Sequence, residues 1–382
     1  MGRVGAKPEK LKLKDASRGH CRPCSFASFD VSLKVLSGTC SDASEEVFYF
    51  PTPSPIAMRA GNEVCRRMRC RTVDDIAREA LRIIDEEKAS SNEPRAEFFF
   101  RGESKNHKSE YDSDSLGTAF QSYLDRLGLV EYERELYEEA MRLNVASFEE
   151  DRSVVERVAR MQHYQLPTRF CDMSANVLLS AHFACGGGKP SEEKRDDDRD
   201  GFIRVMKVRH ERIKSFTSDI IIAIAHLPLV DAENVNPSKD DGLGYLTYEV
   251  KNNRPAFYCE ADDKNIGKWL RDEIQYVWAF KPMMNSARIR KQGGLFLAFG
   301  CGDGKKSLEP TFAPEDYDNP TAPSYGIKQV DYIRIAAEAK KDIREQLRYF
   351  GMESESVYPE LSNVCGELKE RFNEIKNKEV TR

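Results

Sequence analysis

The chain has 382 residues, which is enough for two domains or for one large domain with extensions. Hydrophobic residues make up 40% and charged residues 32%, a balance typical of a globular protein in water. The net charge of −5 argues against a general binder of nucleic-acid backbones, although a local basic groove would still allow such contact. No apolar run is long enough to span a bilayer, and the N-terminus lacks a secretory signal segment. We therefore expect a cytoplasmic protein that does not associate with membranes.

Residues 1–70 are predicted to form a poorly ordered, basic and polar extension, and residues 71–376 the folded domain. The extension begins with "KPEKLKLKDASRGH", which has no apolar period, and contains "PTPSP", which is typical of a linker. It also contains one CxxC pair, Cys21 and Cys24. A zinc site would need a second pair of ligands at similar spacing, so no metal is expected.

The folded domain is predicted to begin with a helix, a strand and two charged helical stretches. Thr72 is placed to cap the helix "TVDDIAREALRIIDEE", and the strand "AEFFFRG" follows it. The two helical stretches cover about 118–143 and 147–164. The second must end near Leu166, because the residue before a proline is pushed out of helical geometry.

The second half is predicted to be rich in strands. Ser174 is placed to cap the helix "SANVLLSAHFAC", and a charged insertion at 186–200 follows, in which "DDDRD" is expected to be solvated. The segments "FIRVMKV", "DIIIAIAH", "IQYVWAF", "GLFLAFG" and "VDYIRIA" are predicted strands, and two amphipathic helices close the chain. Helices first and strands later indicate an α+β fold, with helices packed on a mixed, mostly antiparallel sheet.

Arg101 and Gly102 end the first strand and form the first candidate site. The planar guanidinium of arginine suits a phosphate or a carboxylate, and a glycine beside it lets a ligand approach the backbone. The alternative is a surface arginine at a strand end, paired with Glu103.

The segment "MQHYQLPTRFCDMS" carries the next candidates. His163 and Tyr164 end a helix, where a histidine serves either as a ligand donor and proton carrier or simply as a helix cap. Thr168, Arg169 and Asp172 follow a turn fixed by proline. Asp172 either pairs with Arg169 or orients His163, as a carboxylate commonly does.

Arg288 and Gln292 precede the strand "GGLFLAFG". Gln292 would lie at the entrance of this strand, beside two glycines that leave its surroundings open. The alternative is a loop amide that hydrogen-bonds to its own backbone.

Together these segments resemble the FRG domain, a family named for a Phe-Arg-Gly triplet that is present here as Phe100-Arg101-Gly102. "QHYQLPTRFCDMS" is similar to the family consensus QHYGLPTRLLDWT, with Gln165 where the consensus has glycine. "VLLSAHFA", "ARIRKQGGLFLAFG" and "IREQLRYFGMESESVYPELSNV" match later family elements in the expected order, from about 72 to 372. The resemblance implies that Arg101, His163 and Gln292 belong to one site.

A weaker resemblance to the mono-ADP-ribosyltransferases implies an NAD-using enzyme. In those enzymes an arginine holds NAD, a Ser/Thr strand shapes the nicotinamide pocket and a late glutamate acts on the ribose. Carried over, Arg101 would clamp the diphosphate, while His163, Asp172 and Gln292 would surround the ribose. The expected cofactor-binding residues are Gly102, Tyr164, Thr168, Arg169, Ser174 and Arg288.

This sequence departs from the transferase pattern because Gln292 stands where a charged glutamate would be. Asp172 or Glu273 would have to supply the missing charge. Three hypotheses therefore stay open: an ADP-ribosyltransferase-like enzyme acting on a macromolecular acceptor, a non-catalytic module that binds a nucleotide or nucleic acid, and a hydrolase or nuclease with His163 as general base.

Overall fold

The computed structural model describes residues 69–359, except for 92, 94, 107–119, 188–195, 231–242, 256–259, 261, 263, 303–307 and 309. The chain divides into two units, Met1–Val64 and Cys65–Arg382, and every described residue belongs to the second. Most of the predicted extension, its CxxC pair and the last predicted helix therefore lie outside the described residues. Arg69 and Cys70, at the end of that extension, form a short strand.

The described strands form one eight-stranded sheet, mixed but mostly antiparallel, as expected for the α+β class. The strands are β1 (Arg69–Cys70), β2 (Ala96–Glu103), β3 (Phe170–Ser174), β4 (Gly201–Arg209), β5 (Ile213–Ser215), β6 (Val277–Lys281), β7 (Gly294–Phe299) and β8 (Ile327–Ile335). Their order across the sheet is β1-β8-β4-β2-β3-β7-β6-β5. The outer pairs β1–β8 and β5–β6 are parallel, and the inner pairs are antiparallel.

The described α-helices are α1 (Val73–Ser90), α2 (Tyr123–Arg126), α3 (Glu133–Leu143), α4 (Val154–His163), α5 (Val177–Ala184), α6 (Asp219–His226), α7 (Gly244–Asn253), α8 (Ile266–Glu273), α9 (Ala287–Gln292), α10 (Lys340–Arg348) and α11 (Ser354–Val357). The predicted cap of α1 is confirmed. The Thr72 side chain accepts a hydrogen bond from the backbone of Asp75, and the Asp75 side chain accepts one from the backbone of Thr72.

Helices cover one face of the sheet in two groups. α1, α5 and α10 pack over β2, β4 and β8, and α4, α6, α7 and α8 pack over β3, β6 and β7. The opposite face is buried beneath chain segments that carry Phe120, Leu308 and Phe312. The two helix groups meet above the line between β2 and β3, which we call the seam.

The pairing of the strands is shortest at the seam. β2 pairs with β4 along its whole length, and β3 pairs with β7 at all five of its residues. Between β2 and β3, however, only Phe100 and Ser174 are paired. The two strands part on either side of this pair, and the parting leaves room beneath the helices.

The turn after α4 explains the family consensus at position 165. Gln165 has a φ of 67°, and Leu166 donates its backbone N–H to the carbonyl of Met161, which closes the helix end. This left-handed geometry favours glycine, the residue in the consensus. Gln165 therefore adopts a backbone geometry that glycine adopts without strain.

The prediction of a strand over "DIIIAIAH" is wrong, because this segment is the helix α6. All eight of its residues are buried. A short run of apolar residues has no period that separates a buried strand from a buried helix. A helix that is apolar on every side is an interior helix, and α6 packs among α4, α7 and α8. No helix among the described residues is long and apolar enough to cross a membrane.

The charged helical stretch predicted over about 118–143 is helical but interrupted. Within the described part of this stretch, α2 and α3 are separated by a turn at Gly128, whose φ is 67°. A glycine in the left-handed region ends a helix, so the chain changes direction there.

The acidic run at the end of the predicted insertion is not simply solvated. Asp196 accepts hydrogen bonds from Ser104 and Lys105, and Asp197 pairs with Arg344. Asp200 is buried and accepts hydrogen bonds from Arg69 and Arg334. These carboxylates tie the end of the insertion to β1, β8 and α10, so they serve the fold.

Candidate functional site

A cleft lies at the seam, between the C-terminus of α4, the face of α5 and the turn from α9 into β7. It encloses about 380 Å³ of empty space, counted out to its open mouth. The enclosed part is about 20 Å³, roughly the room of one water, so a larger group would extend into the open mouth. Its walls are formed by Phe100, Arg101, Gly102, His163, Asp172, Met173, Ser174, Leu179, Ser180, Phe183, Pro282, Ile289, Gln292, Gly294, Leu295 and Phe296.

The structure brings the four predicted catalytic residues, Arg101, His163, Asp172 and Gln292, into the wall of this one cleft. They come from β2, α4, β3 and α9, which are far apart in the chain. Gly102 and Ser174, both predicted to bind a cofactor, also line it.

Arg101 bridges the parted strands. Its Nη1 donates to the main-chain carbonyl of Asp172 at 2.8 Å and to the Asp172 carboxylate at 3.2 Å. Its Nε lies 3.7 Å from a carboxylate oxygen of Glu103. The Arg101 side chain is mostly buried, so its charge is held in place beside two acids. The predicted pairing with Glu103 exists, but it is secondary to the contact with Asp172.

Asp172 supplies an ionised carboxylate to the cleft. Burial raises the pKa of this carboxyl, but the charge of Arg101, its hydrogen bond and a backbone hydrogen bond outweigh burial, and the pKa is lowered. A second donor, the side-chain amide of Gln162, lies 3.3 Å from the same carboxylate. Asp172 does not pair with Arg169, so that expectation is wrong.

His163 is a neutral, buried imidazole. Only 7% of the residue is exposed, and burial lowers the pKa of the ring to about 4, with Asp172 opposing the shift. The ring meets Phe296 edge to face, with 5.0 Å between centroids. Its Nε2 is buried and has no hydrogen-bond partner among the described residues. A helix-capping role does not account for this nitrogen.

Ser174 lies at the end of β3 and does not cap α5. The cap is Asn176, whose side chain accepts from the backbone N–H of Leu178. Ser174 Oγ accepts from the backbone of Asn176 at 2.9 Å and donates to the carbonyl of Gln292 at 3.4 Å. Ser174 therefore joins the seam to the end of α9, and it holds Gln292 at the cleft wall.

Gly102 is explained by packing. A Cβ at this position would lie 1.9 Å from the carbonyl oxygen of Ser180 and 2.9 Å from the backbone nitrogen of Ala184. Only glycine lets α5 approach β2 this closely. Because α5 forms one wall of the cleft, Gly102 sets the width of the site even without touching a ligand.

Thr168 and Arg169 were predicted to bind the cofactor, but they are not among the residues of the cleft wall. Thr168 donates to Gln162 at 2.9 Å. The Arg169 guanidinium is buried against Glu133 and donates to the carbonyls of Phe299 and Gly300 at 3.1 and 3.3 Å. We call this arrangement around Arg169 and Glu133 the anchor, because it fixes α3 to the end of β7.

Tyr164 and Arg288 are neighbours of each other and do not line the cleft. Tyr164 is 52% exposed at the end of α4. The Arg288 guanidinium lies over the rings of Tyr164 and Tyr358, at 5.4 and 4.4 Å from the centroids. Glu273, considered as a source of negative charge, lies at the end of α8 and is also absent from the cleft wall.

Ser180 is a cleft residue that the sequence analysis missed. It lies on α5, is 1% exposed, and its Oγ has no hydrogen-bond partner among the described residues. Its signal in the sequence is slight, a hydroxyl within the otherwise apolar "VLLSA". The nearby His182 is different, because its Nε2 is 2.9 Å from the carbonyl of Gly187.

Apolar side chains complete the cleft. The aromatic and aliphatic walls are Phe100, Leu179, Phe183, Ile289, Leu295 and Phe296. Leu179 and Phe183 are supported from behind by Val357 and Tyr358 near the end of the described chain. Such a cleft accepts a flat, largely apolar group and fixes it with a few polar atoms. No group of three His, Cys, Asp or Glu side chains in the described part of the chain is placed to hold a metal ion.

Comparison with protein families gives one match. The model described as the FRG domain matches residues 96–194. Comparison with curated proteins and with solved structures gives no match. The cleft extends beyond the matched residues, because Ile289, Gln292 and Phe296 also form its wall.

Proposed function

Because this chain carries an FRG domain, we propose that the domain is an ADP-ribosyltransferase-like enzyme that uses NAD and modifies a macromolecule. The observation that carries the proposal is the convergence of Arg101, His163, Asp172 and Gln292 on one cleft. That convergence includes an arginine, which suits the diphosphate, and an ionised carboxylate, which suits the positive charge that develops on the ribose.

The proposed reaction replaces one bond at the ribose. The bond from the ribose carbon to the nicotinamide nitrogen breaks, and nicotinamide leaves as a neutral molecule. An acceptor nucleophile forms the new bond to that carbon and loses a proton. The ribose gathers positive charge while the old bond breaks, as in glycoside hydrolysis. A carboxylate aimed at this charge lowers the barrier.

Asp172 takes the role of that carboxylate. Its lowered pKa keeps it ionised at neutral pH, and Arg101 together with the Gln162 amide holds it in place. Gln292 lies in the same wall and is a neutral partner for a ribose hydroxyl. With this assignment, Asp172 supplies the carboxylate that a late glutamate supplies in the transferases, and no residue from outside the cleft is needed.

The size and walls of the cleft favour one end of NAD. The narrow cleft favours the flat ring at its inner end, and the rest of the dinucleotide would extend through the open mouth. The apolar walls suit the flat ring. Arg101 lies beside Asp172, so its charge acts near the ribose as well as toward the diphosphate.

A second candidate is a non-catalytic nucleotide-binding module. The observation that favours it is the pairing of Asp172 with Arg101, which offsets the charge that catalysis would use. No glutamate is found among the described residues of the cleft wall. The nuclease hypothesis is weaker, because a histidine with a pKa of about 4 is a poor base at neutral pH.

The test is release of nicotinamide from NAD by the full chain, with cell lysate as the source of acceptor. Asp172→Asn keeps the shape of the side chain and removes its charge. We expect release to fall by a factor of about 100 or more. Arg101→Ala should lower it as well. The matched control is Asp198→Asn, since Asp198 is exposed and lies outside the cleft.

The outcomes separate the candidates. Release that persists in Asp172→Asn removes the proposed role of this carboxylate. If the wild type releases no nicotinamide but NAD raises its melting temperature, the non-catalytic module is correct. If NAD has neither effect, the cleft does not take NAD.

A further inference from the structure

Two polar atoms in the cleft wall lack a hydrogen-bond partner among the described residues. They are Nε2 of His163 and Oγ of Ser180, which come from α4 and α5. The two residues are 7% and 1% exposed. Nearly all buried polar atoms in folded proteins are hydrogen-bonded, because an unbonded one has lost its water without compensation. Two such atoms in one cleft need partners from outside the protein, which a bound ligand or an ordered water would supply.

The charges around the cleft indicate that this ligand group is neutral. The charged side chains in the wall are Arg101 and Asp172, and they pair with each other. His163 is neutral at physiological pH. The described cleft wall therefore offers no further cation to balance a phosphate or a carboxylate at Nε2 and Oγ, and Arg288, whose charge acts on His163, lies outside this wall over the rings of Tyr164 and Tyr358. Both polar atoms lie among apolar walls, where an unbalanced charge is costly.

The chemistry of the two atoms narrows the group further. A serine hydroxyl donates one hydrogen bond, and a neutral imidazole nitrogen without a proton accepts one. A carboxamide offers the complement on a single planar group, since its oxygen accepts and its N–H₂ donates. A carboxylate has no N–H or O–H to donate at neutral pH.

We propose that Ser180 Oγ and His163 Nε2 form a recognition site for a neutral aromatic carboxamide. The hydroxyl of Ser180 donates to the carboxamide oxygen, and Nε2 of His163 accepts from the carboxamide nitrogen. The flat ring lies against the apolar walls of the cleft. The identification of this group as the nicotinamide of NAD rests on the proposed function.

The experiment measures binding with two matched probes, nicotinamide and nicotinic acid, which differ only in amide against carboxylate. Affinities are measured by calorimetry and by the shift of the melting temperature at pH 7. The wild-type chain should bind the amide at least about 10-fold more tightly, since a site with buried hydrogen-bonding groups strongly rejects an analogue that cannot pair with them. NAD and its deamidated form, which carries a carboxylate, should show the same preference.

Variants of Ser180 and His163 test whether these two side chains cause the preference for the amide. Ser180→Ala removes a hydroxyl that has no hydrogen-bond partner among the described residues, so the fold should be retained. His163→Phe keeps the ring and removes its nitrogens. Each should reduce the amide preference to less than about 3-fold, given that one hydrogen bond is worth roughly a factor of ten. The controls are Ser147→Ala and His210→Ala, both at exposed positions outside the cleft, which should leave the preference unchanged.

Equal binding of the two probes, or binding of neither, overturns the carboxamide site. An amide preference that survives Ser180→Ala and His163→Phe overturns the assignment to these residues. The test does not depend on catalysis. A chain that prefers the amide but leaves NAD intact supports the site and contradicts the transferase, and a chain that cleaves NAD without any preference does the reverse.

Discussion

The cleft and the anchor both use residues of the segment from His163 to Asp172, yet the hydrogen bonding of their buried polar atoms differs. In the anchor, the Arg169 guanidinium bonds to Glu133 and to two main-chain carbonyls. In the cleft, Nε2 of His163 and Oγ of Ser180 are buried without a partner among the described residues. Arg169 follows His163 by six positions in the chain.

If the carboxamide proposal is correct, the contrast distinguishes residues that hold the fold from residues that bind the ligand. A satisfied buried ion pair is costly to break, because removal of one partner leaves a bare charge. An unsatisfied buried atom destabilises the empty protein, and a ligand restores the missing bond. Variants in the anchor should therefore change stability, and variants in the cleft should chiefly change binding.

The largest expected effect comes from the anchor. Arg169→Ala removes the guanidinium that pairs with the buried Glu133 carboxylate and donates to two main-chain carbonyls. We expect the free energy of unfolding to fall by about 3–5 kcal/mol, measured by urea denaturation. Arg142→Ala is the control, because Arg142 pairs with Glu139 on the exposed side of α3 and should have no measurable effect. A similar small effect from Arg169→Ala would remove the distinction between anchor and cleft.

The next effect is a pH dependence that belongs to the cleft. Burial lowers the pKa of His163 to about 4, whereas an unfolded histidine titrates near 6.5. The unfolded chain therefore binds a proton first as the pH falls through this window, and stability is lost on acidification. Between pH 7 and pH 5 the loss from this residue should be roughly 2 kcal/mol.

The check compares wild type with His163→Phe at both pH values by urea denaturation. His226 is also buried with a lowered pKa and contributes in the same direction, so the difference between the two proteins isolates His163. An identical pH dependence in both proteins would show that His163 is not buried as a neutral ring.

A smaller effect is expected at Ser180. The hydroxyl makes no hydrogen bond to the described protein, so Ser180→Ala should leave the empty chain equally stable or stabilise it by up to about 1 kcal/mol. The same change should weaken binding of the carboxamide probe. A clear loss of stability without ligand would mean that the hydroxyl serves the fold, as the anchor residues do.

The smallest effect is expected at the turn between His163 and the anchor. Gln165 has a φ of 67°, where a glycine avoids the strain of a side chain. Gln165→Gly should raise the free energy of unfolding by no more than about 1 kcal/mol, because the turn is already formed. A loss of stability would show that contacts of the Gln165 side chain outweigh the strain.

The order of the main elements could be predicted from the sequence because it depends on local chemistry. Thr72 with Asp75 determines the start of α1, and Pro167 limits α4. The sequence motifs predict one site for Arg101, His163, Asp172 and Gln292, and all four residues line the cleft. Motifs in a fixed order carry information about a site even when each residue alone has a structural explanation.

Only the tertiary structure shows which residues of the motifs line the cleft and which lie outside it. Thr168 and Arg169 are as prominent in the sequence as His163, but they bond to α4, α3 and the end of β7 and lie outside the cleft. The helix α6 could not be distinguished from a strand, because burial on all sides removes the period in its sequence. Ser180 could be recognised as a candidate only from the structure, because the residues packed around it determine whether its hydroxyl has a hydrogen-bond partner. Local propensity determined where elements begin and end, and packing at the seam of β2 and β3 decided which side chains face the cleft.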